Sequence, residues 1–415
     1  MSMSTDRIAG LAQEHFDRGH DALREGNARD AIEEFTRAIK LRPDVSSGYR
    51  FRAIAHRAVN DRPSAIADFT EAIKHSPQDA QLHAERASEY LKQQRYDLAI
   101  TDCNEAIRLD PGRGDVIGIR AAAHGRRGDT AAALTDYETA LTADSERAFE
   151  YLCSRGRLYL ELEDYSAAIR DASAAIAVKD EHLPAYELRA LARQRGKLYA
   201  EAEIDFCEIL SRDPANRAGR LGLAFALVEQ RKWTECLEAV EAVLAVMPNL
   251  ARAFELRGMC HEQLGQFDDA LASYAKALDA GSDAGLTLRA GVFLKKGDWA
   301  NALRDALEAV RRGPDQPQAL NVLAWIRATC PDDAIRNGPQ AVELALRACE
   351  QTDFRDAGCL DTLAAAHAET GEFEQAVAFA ERTTDCAGHD EERQEFARHL
   401  DRFREGKPFR ASSTA

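Results

Sequence analysis

Proline is scarce in this chain, with 12 residues in 415. Few helix breakers and abundant alanine favour helices over other regular structure. No stretch approaches the roughly 18 consecutive apolar residues of a membrane span, and Met1 to Gly10 lacks the apolar core of a signal peptide. No membrane insertion is therefore expected, and the cytoplasm is the expected compartment. Positive charge is in deficit: the net charge of −16 argues against charge-driven binding of nucleic acid or an anionic membrane by the chain as a whole. The nine cysteines show no Cys-x-x-Cys and no metal-like spacing. An odd, scattered set predicts a reducing compartment and neither a disulfide framework nor a metal site. Catalytic signatures are missing as well. There is no Gly-x-Ser-x-Gly, no His-Glu-x-x-His and no lysine-bearing phosphate loop. Gly112-Arg113-Gly114 with Gly118 follows an expected helix and not a strand, so it lacks the context of a phosphate loop. No enzyme and no cofactor are expected.

What is present is a repeat. From Ala80 to Arg113, Ala87 and Tyr90 mark a first apolar helix face. A turn follows at Gln93 to Arg95, and Tyr96, Ala99, Cys103 and Ala106 mark a second face before Pro111 ends the unit. The same marks stand 34 residues earlier as Ala53, Ala65, Phe69, Ala72 and Pro77, and again as Gly19, Ala31, Phe35, Ala38 and Pro43. Two helices in a 34-residue period resemble the tetratricopeptide repeat (TPR). The resemblance implies an all-α fold, a right-handed superhelical solenoid of about eleven helical hairpins closed by a C-terminal capping helix.

Numbering each repeat from 1 to 34, units begin at Ala12, Ser46, Ala80, Gly114, Phe149, Leu183, Arg217, Ala251 and Asp283. Small residues at positions 8 and 20 let paired helices approach. Gly26, Gly128, Gly265 and Gly297 are expected to stop first helices in a left-handed cap. The position-17 aromatics, Tyr96, Tyr165, Tyr199, Trp233, Phe267 and Trp299, could serve stacking or cofactor binding, but packing within each hairpin explains them more simply. His56, His124 and His261 lie at least one repeat apart and are read as helix-packing residues. The expected division is residues 1–11 as an N-terminal tail, 12–314 as nine regular units, 315–388 as two divergent units, 389–405 as the capping helix and 406–415 as a disordered tail. The segments Leu323-Ala324-Trp325, Ala328-Thr329-Cys330-Pro331-Asp332 and Leu360-Asp361-Thr362-Leu363-Ala364 resemble a C-terminal block of many bacterial TPR proteins.

One pattern is particular to this chain. Position 7 is arginine in units one to six (Arg18, Arg52, Arg86, Arg120, Arg155 and Arg189), and position 23 is acidic in the same units (Glu34, Asp68, Asp102, Asp136, Asp171 and Asp205). In unit seven both disappear, as Leu223 and Ala239. Arg289 and Asp305 restore the pair, and Ser273 faces Arg257. These residues predict an ion pair between the two helices of each unit. An arginine ladder for an acidic ligand is the alternative.

The resemblance also implies where a partner would lie. TPR arrays bind extended or helical peptides on the face lined by first helices, where positions 2, 5, 9, 12 and 13 point outward. Candidate groove residues are Phe16, His20, Arg24, Arg50, Arg57, Leu91, Lys92, Arg126, Arg157, Glu187, Leu191 and Phe225. The early units look basic there and the later ones acidic. Phe16 and His20 stand where the carboxylate clamp of certain TPR co-chaperones has lysine and asparagine, so that clamp does not carry over. The expected function is a non-catalytic scaffold or adaptor for a protein or peptide partner, with an acidic segment as one candidate ligand. The alternative is a regulatory sensor whose solenoid changes conformation on binding a small peptide or metabolite.

Overall fold

The computed structural model describes residues 5–386 and 390–411. Among these residues all the regular structure is helical, with 23 α-helices and one 3-10 turn at Ser145–Arg147. The chain divides after Arg212 into two compact units. The first unit pairs α1 (Thr5–Arg24) with α2 (Ala28–Leu41), α3 (Ser46–Ala58) with α4 (Arg62–His75), α5 (Ala80–Lys92) with α6 (Tyr96–Leu109), α7 (Gly114–Arg127) with α8 (Thr130–Ala143), α9 (Ala148–Glu161) with α10 (Tyr165–Val178), and α11 (Leu183–Arg195) with α12 (Tyr199–Arg212). The second pairs α13 (Arg217–Glu229) with α14 (Trp233–Val246), α15 (Ala251–Gln263) with α16 (Phe267–Asp279), α17 (Ala284–Lys295) with α18 (Trp299–Arg312), α19 (Pro317–Thr329) with α20 (Gly338–Gln351), and α21 (Ala357–Glu369) with α22 (Phe373–Cys386), and ends in α23 (Asp390–Arg404). The hairpins number six and five, which matches the expected eleven.

Each unit is a solenoid stack. Within a unit, successive first helices touch one another, as α5 and α7, α7 and α9, and α9 and α11 do, while second helices pack mainly on the helices before and after them in sequence. First helices therefore form one layer and second helices the other. Small residues make this possible: Ala53, Ala87, Ala121, Ala190, Ala224 and Ala290 are fully buried. At Gly258 a β-carbon would lie 2.4 Å from the Tyr274 ring, which is itself completely buried. The position-17 aromatics open second helices and pack on hairpin cores, as Tyr165, Trp233, Phe267 and Trp299 do.

The turn inside each hairpin is more uniform than its sequence. Position 15 is left-handed at Gly26, Gly128 and Gly265, and equally at Asn60, Gln94, Glu163, Lys197 and Arg231. A non-glycine residue there costs roughly 1–2 kcal/mol. The recurring 6→1 backbone bond, such as Arg95 N–H to the Tyr90 carbonyl at 2.9 Å, closes the turn in either case. Packing of the two helices fixes this turn, and glycine only makes it easier. Gly196 shows the point: it precedes the left-handed Lys197 and keeps an ordinary φ of −76°.

Two ends differ from expectation. Helix α1 starts at Thr5, so residues 5–11 are helical and not a tail. The C-terminal segment is also ordered as far as it is described. Gly406 takes φ +66°, turns the chain back after α23, and sends residues 408–411 across α19 and α21, which hold them through an aromatic contact, an ion pair and a backbone hydrogen bond. Residues 406–411, expected as part of a tail, thus have a defined course, while 1–4 of the expected N-terminal tail, 387–388 of the second divergent unit, 389 of the capping helix and 412–415 lie outside the described residues. The long connection between α19 and α20 is ordered by Arg336, whose side chain is 7% exposed. It donates to the carbonyls of Cys330 and Pro331 at 2.5 and 3.0 Å and pairs with Glu369 at 3.0 Å.

Candidate binding face

The position-7 arginines are the most regular polar feature of the molecule. Arg52 and Asp68, Arg86 and Asp102, Arg120 and Asp136, Arg155 and Asp171, and Arg289 and Asp305 each form two parallel hydrogen bonds of 2.6–3.0 Å across a 16-residue spacing. Arg189 grips Asp205 in the same way, and Arg193 joins it at 2.6 Å. Such forked pairs combine charge with fixed geometry. Asp68, Asp102, Asp136, Asp171, Asp205 and Asp305 are all buried, so these groups are committed to the fold and leave no arginine ladder facing solvent.

A second contact was not foreseen. The remaining guanidinium nitrogen reaches 16 residues back to position 25 of the preceding hairpin. Arg52 donates to Thr36, Arg86 to Thr70, Arg120 to Asn104, Arg189 to Ser173 and Arg257 to Glu241. One arginine therefore joins the helices of its own hairpin and ties that hairpin to its predecessor. Its signal in the sequence is faint, because position 25 keeps only the capacity to accept a hydrogen bond.

Two pairings depart from the rule. Arg257 meets Ser273 at 3.1 Å, as the sequence suggests. Arg18 does not meet Glu34: it lies 3.5 Å from Glu14 and its side chain is 62% exposed. Glu34 instead binds His15 at 2.7 Å and Arg37. The hydrogen bond from His15 holds the Glu34 carboxyl below its usual range. Glutamate is one methylene longer than the aspartate of the other hairpins, and it reaches different partners.

Ten of the twelve candidate groove residues fall into three groups. Phe16 and His20 belong to an aromatic cluster with Phe35 and Phe51, and Leu91 packs on Ile100 and Ala123. Arg50, Lys92 and Arg126 are held by carboxylates. Arg50 makes a forked pair with Glu85 at 2.7 and 3.1 Å, and that pairing raises its pKa. Lys92 lies 3.1 Å from Glu89, which is fully buried, and Arg62 approaches the same carboxylate at 3.6 Å. Arg126 lies 3.7 Å from Glu161. The third group is Arg24, Arg57, Arg157 and Leu191, of which Leu191 is 37% exposed. No acidic side chain pairs with these three arginines among the described residues. Glu187 is half-buried on α11, and Phe225 is half-buried on α13 in the second unit.

Between α7 and α9 the first-helix face opens a cleft of about 110 Å³, lined by Gly125, Arg126, Tyr137, Ser154, Arg157 and Glu161. Burial pushes the Tyr137 phenol up to about 12, and the Ser154 hydroxyl lines the same cleft. The cleft thus holds two neutral hydroxyls, two guanidinium groups and the Glu161 carboxylate, which lies by Arg126. This arrangement can accept hydrogen bonds from a peptide and pair with a carboxylate. The position-11 histidines brace turns: His124 contacts Asp129 at 3.2 Å, His261 contacts Gln266 at 2.6 Å and His367 contacts Glu372 at 2.6 Å. No group of three or more His, Cys, Asp or Glu suited to a metal ion occurs among the described residues. No helix among them is long and apolar enough to cross a membrane.

A tetratricopeptide-repeat family model matches residues 16–58, 52–113, 120–177, 153–217, 221–285 and 287–329. Among solved structures, yeast Tom70 is 15% identical with a TM-score of 0.48, over 95% of this chain and 96% of that one. The APC/C hetero-tetramer Cut9-Hcn1 is 12% identical with a TM-score of 0.48, over 97% of this chain and 93% of that one. A tetratricopeptide repeat protein from Parabacteroides merdae is 18% identical with a TM-score of 0.36, over 68% of this chain and 99% of that one. A search of the curated proteins returns no match. Since the family matches extend over more than half of the residues, the chain belongs to the tetratricopeptide repeat family.

Proposed function

We propose that this protein is a non-catalytic scaffold that holds an extended, acidic segment of a partner protein against the first-helix face of its first unit. The observation that carries this reading is the cleft between α7 and α9. Arg157 stands there without a carboxylate partner, in the same cleft as Arg126 and the hydroxyls of Tyr137 and Ser154. Arg57 offers a further unpaired guanidinium two hairpins earlier, and Leu191 offers exposed apolar surface one hairpin later. Charged groups of this kind set register and encounter rate, while apolar contacts supply most of the affinity. The seven buried cysteines suit a protein that works in a reducing compartment such as the cytoplasm.

Selection of displayed random peptides on the intact protein tests the reading. Enrichment of acidic sequences on wild type, with at least tenfold weaker binding to Arg57→Glu/Arg157→Glu, is the expected result. Equal binding by both proteins, or selection of basic sequences, would place the partner elsewhere. Arg50 and Lys92 are poor choices for this experiment. Reversing either would leave Glu85 or the buried Glu89 facing a like charge and disturb the fold itself.

A further inference from the structure

The last two hairpins already hold an extended peptide, and it belongs to the chain itself. Counted from Pro317, where α19 begins, Trp325 is position 9 and Thr329 is position 13. Counted from Ala357, Asp361 is position 5 and Glu369 is position 13. These are the outward positions of first helices, the places where a TPR face meets its ligand. Residues 408–411 meet Trp325, Thr329 and Glu369, while His399 of α23 meets Asp361. The Phe409 ring lies 5.6 Å from Trp325 and 4.2 Å from His399, whose imidazole is fixed by Asp361 at 2.9 Å. Arg410 pairs with Glu369 at 3.1 and 3.2 Å. The Ala411 N–H donates to the Thr329 carbonyl at 3.0 Å, and Arg402 fixes the Pro408 carbonyl at 2.9 Å.

We infer that this surface is a second peptide site, selective for an extended segment in which an aromatic residue precedes an arginine, and that the chain's own Pro408-Phe409-Arg410-Ala411 occupies it as a displaceable pseudo-ligand. Each part of the site meets one part of that segment. Trp325 and His399 form a cleft for a ring, Glu369 receives a guanidinium, and the Thr329 carbonyl receives a backbone N–H. The occupant has the character of a ligand and not of a core element. Phe409 is only half-buried, Arg410 is exposed, and residues 408–411 form no helix. The Gly406 turn tethers the segment directly to α23, which gives an effective concentration of about millimolar or more. A partner presenting the same chemistry at higher affinity would displace it. This site prefers the opposite charge to the cleft between α7 and α9, and its argument does not rest on the function proposed there.

A fluorescein-labelled peptide with the sequence of residues 406–411 tests the inference by anisotropy on the full chain. Wild type, occupied in cis, should bind it at least about tenfold more weakly than Phe409→Ala/Arg410→Glu, in which the site is vacated. Adding Trp325→Ala to that variant should abolish binding. Hydrogen exchange over α19–α21 accompanies the titration and should be unchanged between wild type and the vacated variant. Three results would overturn the inference: no saturable binding to the vacated variant, equal binding to wild type, or loss of α19–α21 protection on vacating the site. The last would make the segment a structural strut.

Discussion

In hairpins two to six an arginine of the first helix and an aspartate of the second close a forked ion pair, whereas hairpin seven has Leu223 and Ala239 at the same two places. Both residues of hairpin seven pack against a core of Leu227, Val240, Val243 and Leu256. The two arrangements occupy the same site between helices and keep the same hairpin. A buried ion pair adds little over an apolar pair of similar volume, because desolvation offsets the attraction. Half of either arrangement is another matter, since a single buried charge has no partner. That asymmetry explains why arginine and acid vanish together in hairpin seven. It also explains Arg257, where Ser273 and Glu241 divide the role of the missing aspartate.

The largest effect should come from Asp205→Ala. It strands both Arg189 and Arg193 around a site 1% exposed and should cost about 3–5 kcal/mol. Because repeat arrays unfold unit by unit, the measurement is hydrogen exchange over α11 and α12. A loss smaller than that of Asp136→Ala would contradict the role of the shared carboxylate. Next, Asp136→Ala should cost about 3 kcal/mol, while Arg120→Leu/Asp136→Ala, which copies hairpin seven, should recover most of the loss. Additive losses in the double variant would sink the comparison. In the opposite direction, Leu223→Arg should destabilise hairpin seven by roughly 2 kcal/mol or more by burying a lone charge, and Ala239→Asp added to it should restore protection of α13 and α14. The smallest effect belongs to the contact between hairpins: Thr70→Val removes the hydrogen bond from Arg86 and should cost about 1 kcal/mol, read as faster exchange at the α4–α5 junction.

Much of this was readable from residue types alone. The pairing of Arg52 with Asp68, and of its counterparts, follows from the joint loss at Leu223 and Ala239. Arg18 escaped that logic because Glu34 counts as acidic by type yet reaches His15 and Arg37 by length. The contacts to Thr36, Thr70, Asn104, Ser173 and Glu241 were hidden because position 25 varies in chemistry and conserves only an acceptor atom. On the candidate face, Arg50 and Arg126 look free in sequence, but each meets a carboxylate 35 residues away. Lys92 looks free too, although the buried Glu89 is only three residues from it. Periodicity says which way a side chain leaves its helix, and not which neighbouring hairpin it meets.

The sequence by itself determined the helices, their 34-residue period and the partners that close each hairpin, because these depend on contacts between residues close in the chain. Small residues at positions 8 and 20 and the Arg–Asp spacing act within one repeat. The tertiary structure decided what lies beyond one repeat: which groove cations remain unpaired, how one arginine bridges two hairpins, and where the segment after Gly406 lands. Those outcomes depend on the few ångströms by which one hairpin is set against another. Hydrogen bonds and ion pairs fall off over that same distance, and no spacing along the chain encodes it.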